Sequence, residues 1–144
     1  FGNPYGDPWN YAIVESWIDL LNKMDINSIS LSDTVGSAKE TDISQLFSNS
    51  IIKYPGIEFG AHFHTRPDQW YKKINAAFDA GCRVFDGAIQ GFGGCPMAKD
   101  DLTGNFPTEK IITYFNSKKI SLNINSLNFE SCYNHASKLF NQHT

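Results

Sequence analysis

The sequence predicts an α/β fold: the carboxyl-terminal part of a (β/α)8 TIM barrel, about three parallel strands with helices outside them. Three observations predict it. Short β-prone stretches alternate with amphipathic helical ones at roughly 25 to 30 residues, the rhythm of a parallel sheet with helical crossovers. Polar residues gather where the strands end, at Asp33-Thr34, at His62 and His64, and at Gln90 leading into a glycine-rich loop; this is the rim that carries chemistry in such barrels. Three strands are also too few to stand by themselves, because parallel strands need helices on both faces and neighbours on both edges, whereas a whole barrel takes about 250 residues. Residues 1–144 therefore read as one partial barrel domain without its amino-terminal strands. The opening on Phe1-Gly2, with no methionine, reads as a cut from something longer.

Each element has its own signal. Asp7 before Pro8 reads as a helix cap and first turn, and Tyr11, Val14, Trp17, Ile18 and Leu21 then recur at helical spacing. SISLSD, residues 28–33, is short and β-prone, and a helical stretch follows over about 42–54. The unit then repeats with a strand over 57–64 (IEFGAHFH), a helix over 67–80 whose Trp70, Ile74, Ala77 and Phe78 share a face, and a strand over 83–89 (RVFDGAI). Two more helices are expected, one over about 108–116 and one within 126–141 around Phe129, Cys132, Ala136, Leu139 and Phe140.

Composition narrows the function. Hydrophobic residues make up 41% of the chain and aromatics 14%, enough for a packed core. A net charge of -3 without a basic run argues against nucleic acid as a partner, and no apolar stretch is long enough to span a bilayer. Three widely spaced cysteines, Cys82, Cys95 and Cys132, form neither a disulfide framework nor a metal knuckle. The expectation is a soluble, cytoplasmic protein with reduced thiols.

Two motifs carry the chemistry. GFGGCPMAKDDLTGN, residues 91–105, sets Cys95 behind Gly91, Gly93 and Gly94, which lets the segment bend sharply and lie close to a ligand; the plainer reading is a flexible connector with an incidental thiol. His62 and His64 are separated by one residue, so on a strand they leave the same face and could grip one ion. The plain alternative is a pair of solvated or backbone-bonded histidines. Asp33 and Asn105 bring oxygen towards the same rim, and imidazole mixed with oxygen donors suits Mg²⁺ or Mn²⁺ better than structural zinc, although a zinc site of His62, His64 and Cys95 stays open.

At FGNPYGD, SISLSDTVG, GAHFH and GFGGCPMAKDDLTGN followed by FPTEK, the chain resembles the hydroxymethylglutaryl-CoA lyase family, within the metal-dependent barrel lyases and synthases, from Phe1 to about Ser117. The resemblance implies that His62 and His64 bind a divalent cation, that Asn105 completes the protein ligands, that Asp33 is an active-site aspartate, and that Cys95 rides a closing loop and takes part in proton transfer. It implies cleavage of hydroxymethylglutaryl-CoA to acetoacetate and acetyl-CoA, with an acyl-CoA as substrate and either the remainder of the barrel or a second copy as partner. This chain departs from the family in three places. Thr65-Arg66-Pro67-Asp68 replaces the usual Asp-Thr and glycine, Lys73 stands where a small or amide residue is usual, and the family's Arg-Asp-Gly motif does not occur. A non-catalytic metal-binding or interaction relative is the alternative, suggested by the TRPD replacement and by Trp9, Tyr71 and Tyr114 read as exposed. Another is a related aldolase acting on a different hydroxyacyl or ketoacid substrate.

Overall fold

A computed structural model describes residues 1, 5–94 and 103–140. Helix α1 spans Tyr11–Lys23, strand β1 Ser28–Asp33, α2 Glu40–Lys53, β2 Glu58–Thr65, α3 Trp70–Asp79, β3 Val84–Phe85, β4 Gly104–Asn105, α4 Thr108–Ser117 and α5 Ser126–Phe140, with one 3₁₀ turn at Ile89–Gly91. The sheet order is β1-β2-β3, and both pairings are parallel, as the strand–helix rhythm predicts. Strand β4 adds to β2 from elsewhere and runs antiparallel.

Two faces of the sheet have different fates. Register partners Ile29↔Phe59, Leu31↔Ala61 and Asp33↔Phe63 share one side, because side chains alternate along a strand. That side meets the helices: Leu31, Phe59, Ala61 and Phe63 join Ile43, Leu46 and Phe47 of α2 and Ile74 and Ala77 of α3 in one core, with Phe47 edge-on to Phe63 at 6.1 Å between ring centroids. Each of the leucine, isoleucine and phenylalanine side chains is worth about 1.5 to 3 kcal/mol when fully buried. The opposite side carries Ser28, Ser30 and Ser32 against Glu58, Gly60 and His62. A Cβ on Gly60 would sit 2.9 Å from the Ser30 Oγ, so the two strands approach closely on this polar face.

The structure corrects several boundaries. Helix α1 is capped by Asn10, whose side chain accepts from the Ile13 amide at 2.9 Å, and not by Asp7; the extended Asn10 backbone puts the acceptor three residues before an orphan donor. Residues 67–69 form a turn, so α3 begins at Trp70. The third strand is two residues long instead of seven. After Asp86 donates to the Ala61 carbonyl, Ala88 bonds with Phe106 and Thr108 instead of with β2, and Gln90 at φ 58 and Gly91 at φ 67 turn the chain away. On α5 only Ala136 of the expected apolar face is buried, while Leu139 and Phe140 stay largely exposed. The helix rests on the turn at Ile89–Gly91 through Gln90, whose Nε2 donates to the Tyr133 carbonyl and to Ser137 Oγ. Tyr114, read as exposed, is fully buried. Its ring packs edge-on to Phe78 at 5.8 Å and its hydroxyl donates to Asn75 Oδ1 at 2.9 Å. No helix among the described residues is long and apolar enough to cross a membrane.

Candidate metal and active site

The polar rim is assembled by β2 and β4. His62 and His64 leave the same face of β2, and their ring centroids are 5.6 Å apart. Asn105 lies directly opposite His64 in the antiparallel β2–β4 pair. Directly opposed residues project to the same side of a sheet, so two imidazoles and an amide 41 residues further along the chain share one face.

The loop that holds Asn105 explains its glycines. The Asn105 amide nitrogen donates to the Gly93 carbonyl at 3.1 Å, and its side-chain Nδ2 donates to the Phe92 carbonyl at 2.8 Å, which leaves the side-chain oxygen as the end with lone pairs to offer a cation. Gly91 and Gly93 lie at φ 67 and 76, and a Cβ on Gly91 would be 2.8 Å from the Asn105 carbonyl. A Cβ on Gly94 would be 3.0 Å from the Thr103 carbonyl. These glycines are therefore needed for close approach as well as for bending. Gly6, at φ 74 with open space where its Cβ would stand, separates the two effects. Gly6→Ala is expected to cost only the left-handed backbone penalty of about 1 to 2 kcal/mol, and Gly91→Ala more than that in urea denaturation. Equal losses would show that the Asn105 backbone is free to yield.

Both imidazoles are oriented through Nδ1. His64 Nδ1 lies 3.3 Å from the Asp33 carbonyl oxygen. A carbonyl only accepts, so Nδ1 carries the hydrogen and Nε2 the lone pair. His62 Nδ1 lies 3.2 Å from Asp86 Oδ2, which also accepts from Ser30 Oγ at 3.2 Å. A carboxylate or carbonyl behind an imidazole is the usual support for a metal-binding histidine. Burial holds His64 below the ordinary imidazole pKa, against the hydrogen bond to the Asp33 carbonyl that favours the charged ring, with His62 and then Lys73 adding to the lowering. Asp86 is not among the sequence-predicted site residues, because the strand predicted over 83–89 places it within the strand, whereas β3 ends at Phe85. The available signal was a carboxylate at the end of the third strand, by the same rule that singled out Asp33.

Asp33 is placed differently from the sequence expectation. Its register puts the side chain on the helix-facing side, away from the imidazoles. The fully buried carboxylate accepts from the Ser37 and Ala38 amides at 3.0 and 3.1 Å, and Lys73 Nζ donates to it at 2.6 Å. Asp33 reaches the histidine face through its carbonyl alone. Lys73, noted in the sequence only as a departure from the family, is 3% exposed and spends its other donors on the Gly36 and His64 carbonyls at 2.8 and 3.1 Å. Cys95 lies outside the described residues, and with it the zinc alternative. Cys82 and Cys132 are free thiols; burial pushes Cys82 up to about 11, which keeps it protonated and unreactive. Among the described residues no three His, Cys, Asp or Glu side chains converge, so the candidate ligand set is two imidazoles and the Asn105 amide.

The fold and the placement of these side chains define a sector of a (β/α)8 barrel with its polar groups at the carboxyl rim of the strands. The chain belongs to the HMGL-like family, which it matches over residues 10–135. It is 29% identical over 124 residues to the hydroxymethylglutaryl-CoA lyase YngG of Bacillus subtilis, covering 86% of this chain and 41% of that protein. It is 32% identical over 105 residues to the (R)-citramalyl-CoA lyase of Chloroflexus aurantiacus, covering 73% and 32%. It superimposes on the crystal structure of the Bacillus subtilis HMG-CoA lyase with a TM-score of 0.86 at 27% identity, over 96% of this chain and 46% of that one. These two curated relatives are CoA-ester lyases, and this chain spans less than half the length of the relatives it matches.

Proposed function

We propose that this chain supplies the cation-binding sector of a carbon–carbon lyase of the hydroxymethylglutaryl-CoA lyase type, which cleaves a 3-hydroxy-3-methylglutaryl-CoA-like substrate to acetoacetate and acetyl-CoA. The observation that carries the reading is the convergence of His62, His64 and Asn105 on one sheet face, with each imidazole Nδ1 committed to an acceptor. Two Nε2 lone pairs and an amide oxygen fit Mg²⁺ or Mn²⁺, whose remaining positions go to water or substrate oxygens. Bound there, the cation would polarise substrate oxygens and offset the negative charge that develops on them.

The chain's own residues orient ligands and move a proton. Asp33 and Asp86 hold the two rings with Nε2 outward, and Gly91, Gly93 and Gly94 let the loop lie against Asn105. In the reaction a general base takes the proton of the substrate hydroxyl, the oxygen's electron pair forms the ketone of acetoacetate, and the bond between its carbon and the α-carbon of the thioester breaks. The electron pair stays on the α-carbon as the enolate of acetyl-CoA. We assign to the Cys95 thiol, next to Gly94, the delivery of a proton to that carbon.

The acyl-CoA is the small-molecule partner. The other partner is the remaining sector of a barrel, from the same protein or a second copy. Among the described residues strand β1 pairs with another strand on one edge only, and Ile13, Trp17, Leu20 and Met24 expose an apolar stripe on α1. A soluble, cytoplasmic setting suits the free thiols Cys82 and Cys132.

A related hydroxyacyl-CoA is the second reading, favoured by the relative of 32% identity that is a citramalyl-CoA lyase. The test gives full-length protein each acyl-CoA with Mg²⁺ or Mn²⁺, following acetoacetate from the first and loss of acyl-CoA with either. His64→Ala is expected to lower turnover of the preferred substrate at least a hundredfold. A full-length protein that consumes neither would refute the lyase reading.

A further inference from the structure

We propose that Lys73 is a positioning residue for the candidate metal ligand His64, acting as a buried clamp that fixes both the backbone and the ring orientation of that histidine. The inference rests on the reading of His64 as a ligand and deepens it. Lys73 has three hydrogens to donate, and three acceptors stand within reach: Asp33 Oδ2 at 2.6 Å, the Gly36 carbonyl at 2.8 Å and the His64 carbonyl at 3.1 Å. One ammonium group on α3 therefore joins the end of β1, the loop after it and the end of β2.

These contacts close a circuit around His64. Its carbonyl accepts from Lys73, and its ring nitrogen donates to the carbonyl of Asp33, the residue whose carboxylate holds the same ammonium. The Asp33 carboxylate is fixed in turn by the Ser37 and Ala38 amides. Gly36 completes the packing, since a Cβ there would be 3.2 Å from the His64 carbonyl oxygen. Removing the ammonium frees the Gly36 and His64 carbonyls and the Asp33 backbone together. The ring of His64 then loses the fixed acceptor that keeps the hydrogen on Nδ1 and the lone pair on Nε2.

An ion pair at 3% and 0% side-chain exposure also serves stability, so the test must separate folding from positioning. Three variants are made in the full-length protein: Lys73→Met, the neutral pair Asp33→Asn with Lys73→Met, and Lys72→Met. The neutral pair leaves no buried charge unmatched, and the single amide oxygen left by Asp33→Asn still accepts from the Ser37 amide, while its NH2 stands where Oδ2 accepted from the Ala38 amide. Lys72 lies next door on α3, is exposed, and pairs with Glu40 at 3.4 Å, which makes its variant the control for a charge lost from the same helix. Histidine nitrogen NMR on metal-free protein at neutral pH reads the ring. The parent and Lys72→Met are expected to show His64 as one fixed tautomer with hydrogen on Nδ1, and the neutral pair to show an averaged ring. Calorimetry then reads Mn²⁺ affinity, expected to fall about tenfold to a hundredfold in the neutral pair and to hold in Lys72→Met. If Lys73→Met does not fold, the neutral pair carries the comparison. A folded neutral pair that keeps both the His64 tautomer and Mn²⁺ affinity within threefold of the parent would overturn the proposal. A parent that binds no Mn²⁺ would sink the metal reading by itself, and the tautomer comparison would still decide whether Lys73 orients the ring.

Discussion

The isolated 144-residue chain is expected to give no measurable acetoacetate from hydroxymethylglutaryl-CoA and a divalent cation, under conditions where the full-length protein turns over. The reason is geometric before it is chemical. A barrel site draws its groups from the ends of several strands around a ring, and this chain supplies three adjacent parallel strands of that ring. Its two arginines, Arg66 and Arg83, are followed by proline and valine, so the Arg-Asp-Gly pair that the family resemblance assigns to charge stabilisation and metal binding has no counterpart here. Losing one electrostatic stabiliser commonly costs a hundredfold to a thousandfold, and losing an arginine together with a metal ligand costs more. Comparable turnover by chain and parent would show that the catalytic set is complete within these residues and that the sector account is wrong.

Asp33→Ala is expected to destabilise the fold by about 3 to 5 kcal/mol, the usual cost of breaking a buried ion pair by removing one partner. The substitution strands the Lys73 ammonium at 3% exposure and frees the Ser37 and Ala38 amides that the carboxylate now receives. Adding Lys73→Met is expected to recover most of the loss, because a methionine there leaves no charge to solvate. Urea midpoints of the parent, the single variant and the double variant measure both steps. A single-variant loss below about 1 kcal/mol would place the pair among surface ion pairs, which contribute little, and would contradict its burial.

Three parallel strands, their order and the helices between them were legible in the sequence because hydrophobic periodicity is a local signal. Phe59, Ala61 and Phe63 alternate with Gly60, His62 and His64 whatever lies around them, and that alternation alone sends the histidines to one face. The apolar face of α3 was legible for the same reason, through Ile74 and Ala77. Helix α5 was legible as a helix but its burial was not, because Leu139 stays exposed and Phe140, against the Phe92 ring at 4.3 Å, is only half covered; periodicity states what a helix could cover, not what is there to be covered. Nor was the shortness of β3, which follows from competition between β2 and the Phe106–Thr108 segment for the backbone of Ala88.

The site divides along the same line. Residue types and spacing by themselves determined that His62 and His64 sit together, that Asn105 follows a glycine-rich turn, and which family the chain resembles. Only the tertiary structure decided that Asn105 stands opposite His64, that Asp86 and the Asp33 carbonyl fix the two rings, and that the Asp33 carboxylate faces Lys73 and away from the histidines. The physical reason is that hydrogen bonds and ion pairs join atoms 24 to 41 residues apart, and strand register and helix packing settle which partner each group meets. A carboxylate at the end of a strand is chemically the same group whether it turns into the cleft or under a helix; for Asp33, the parity of β1 and a lysine forty residues away made that choice.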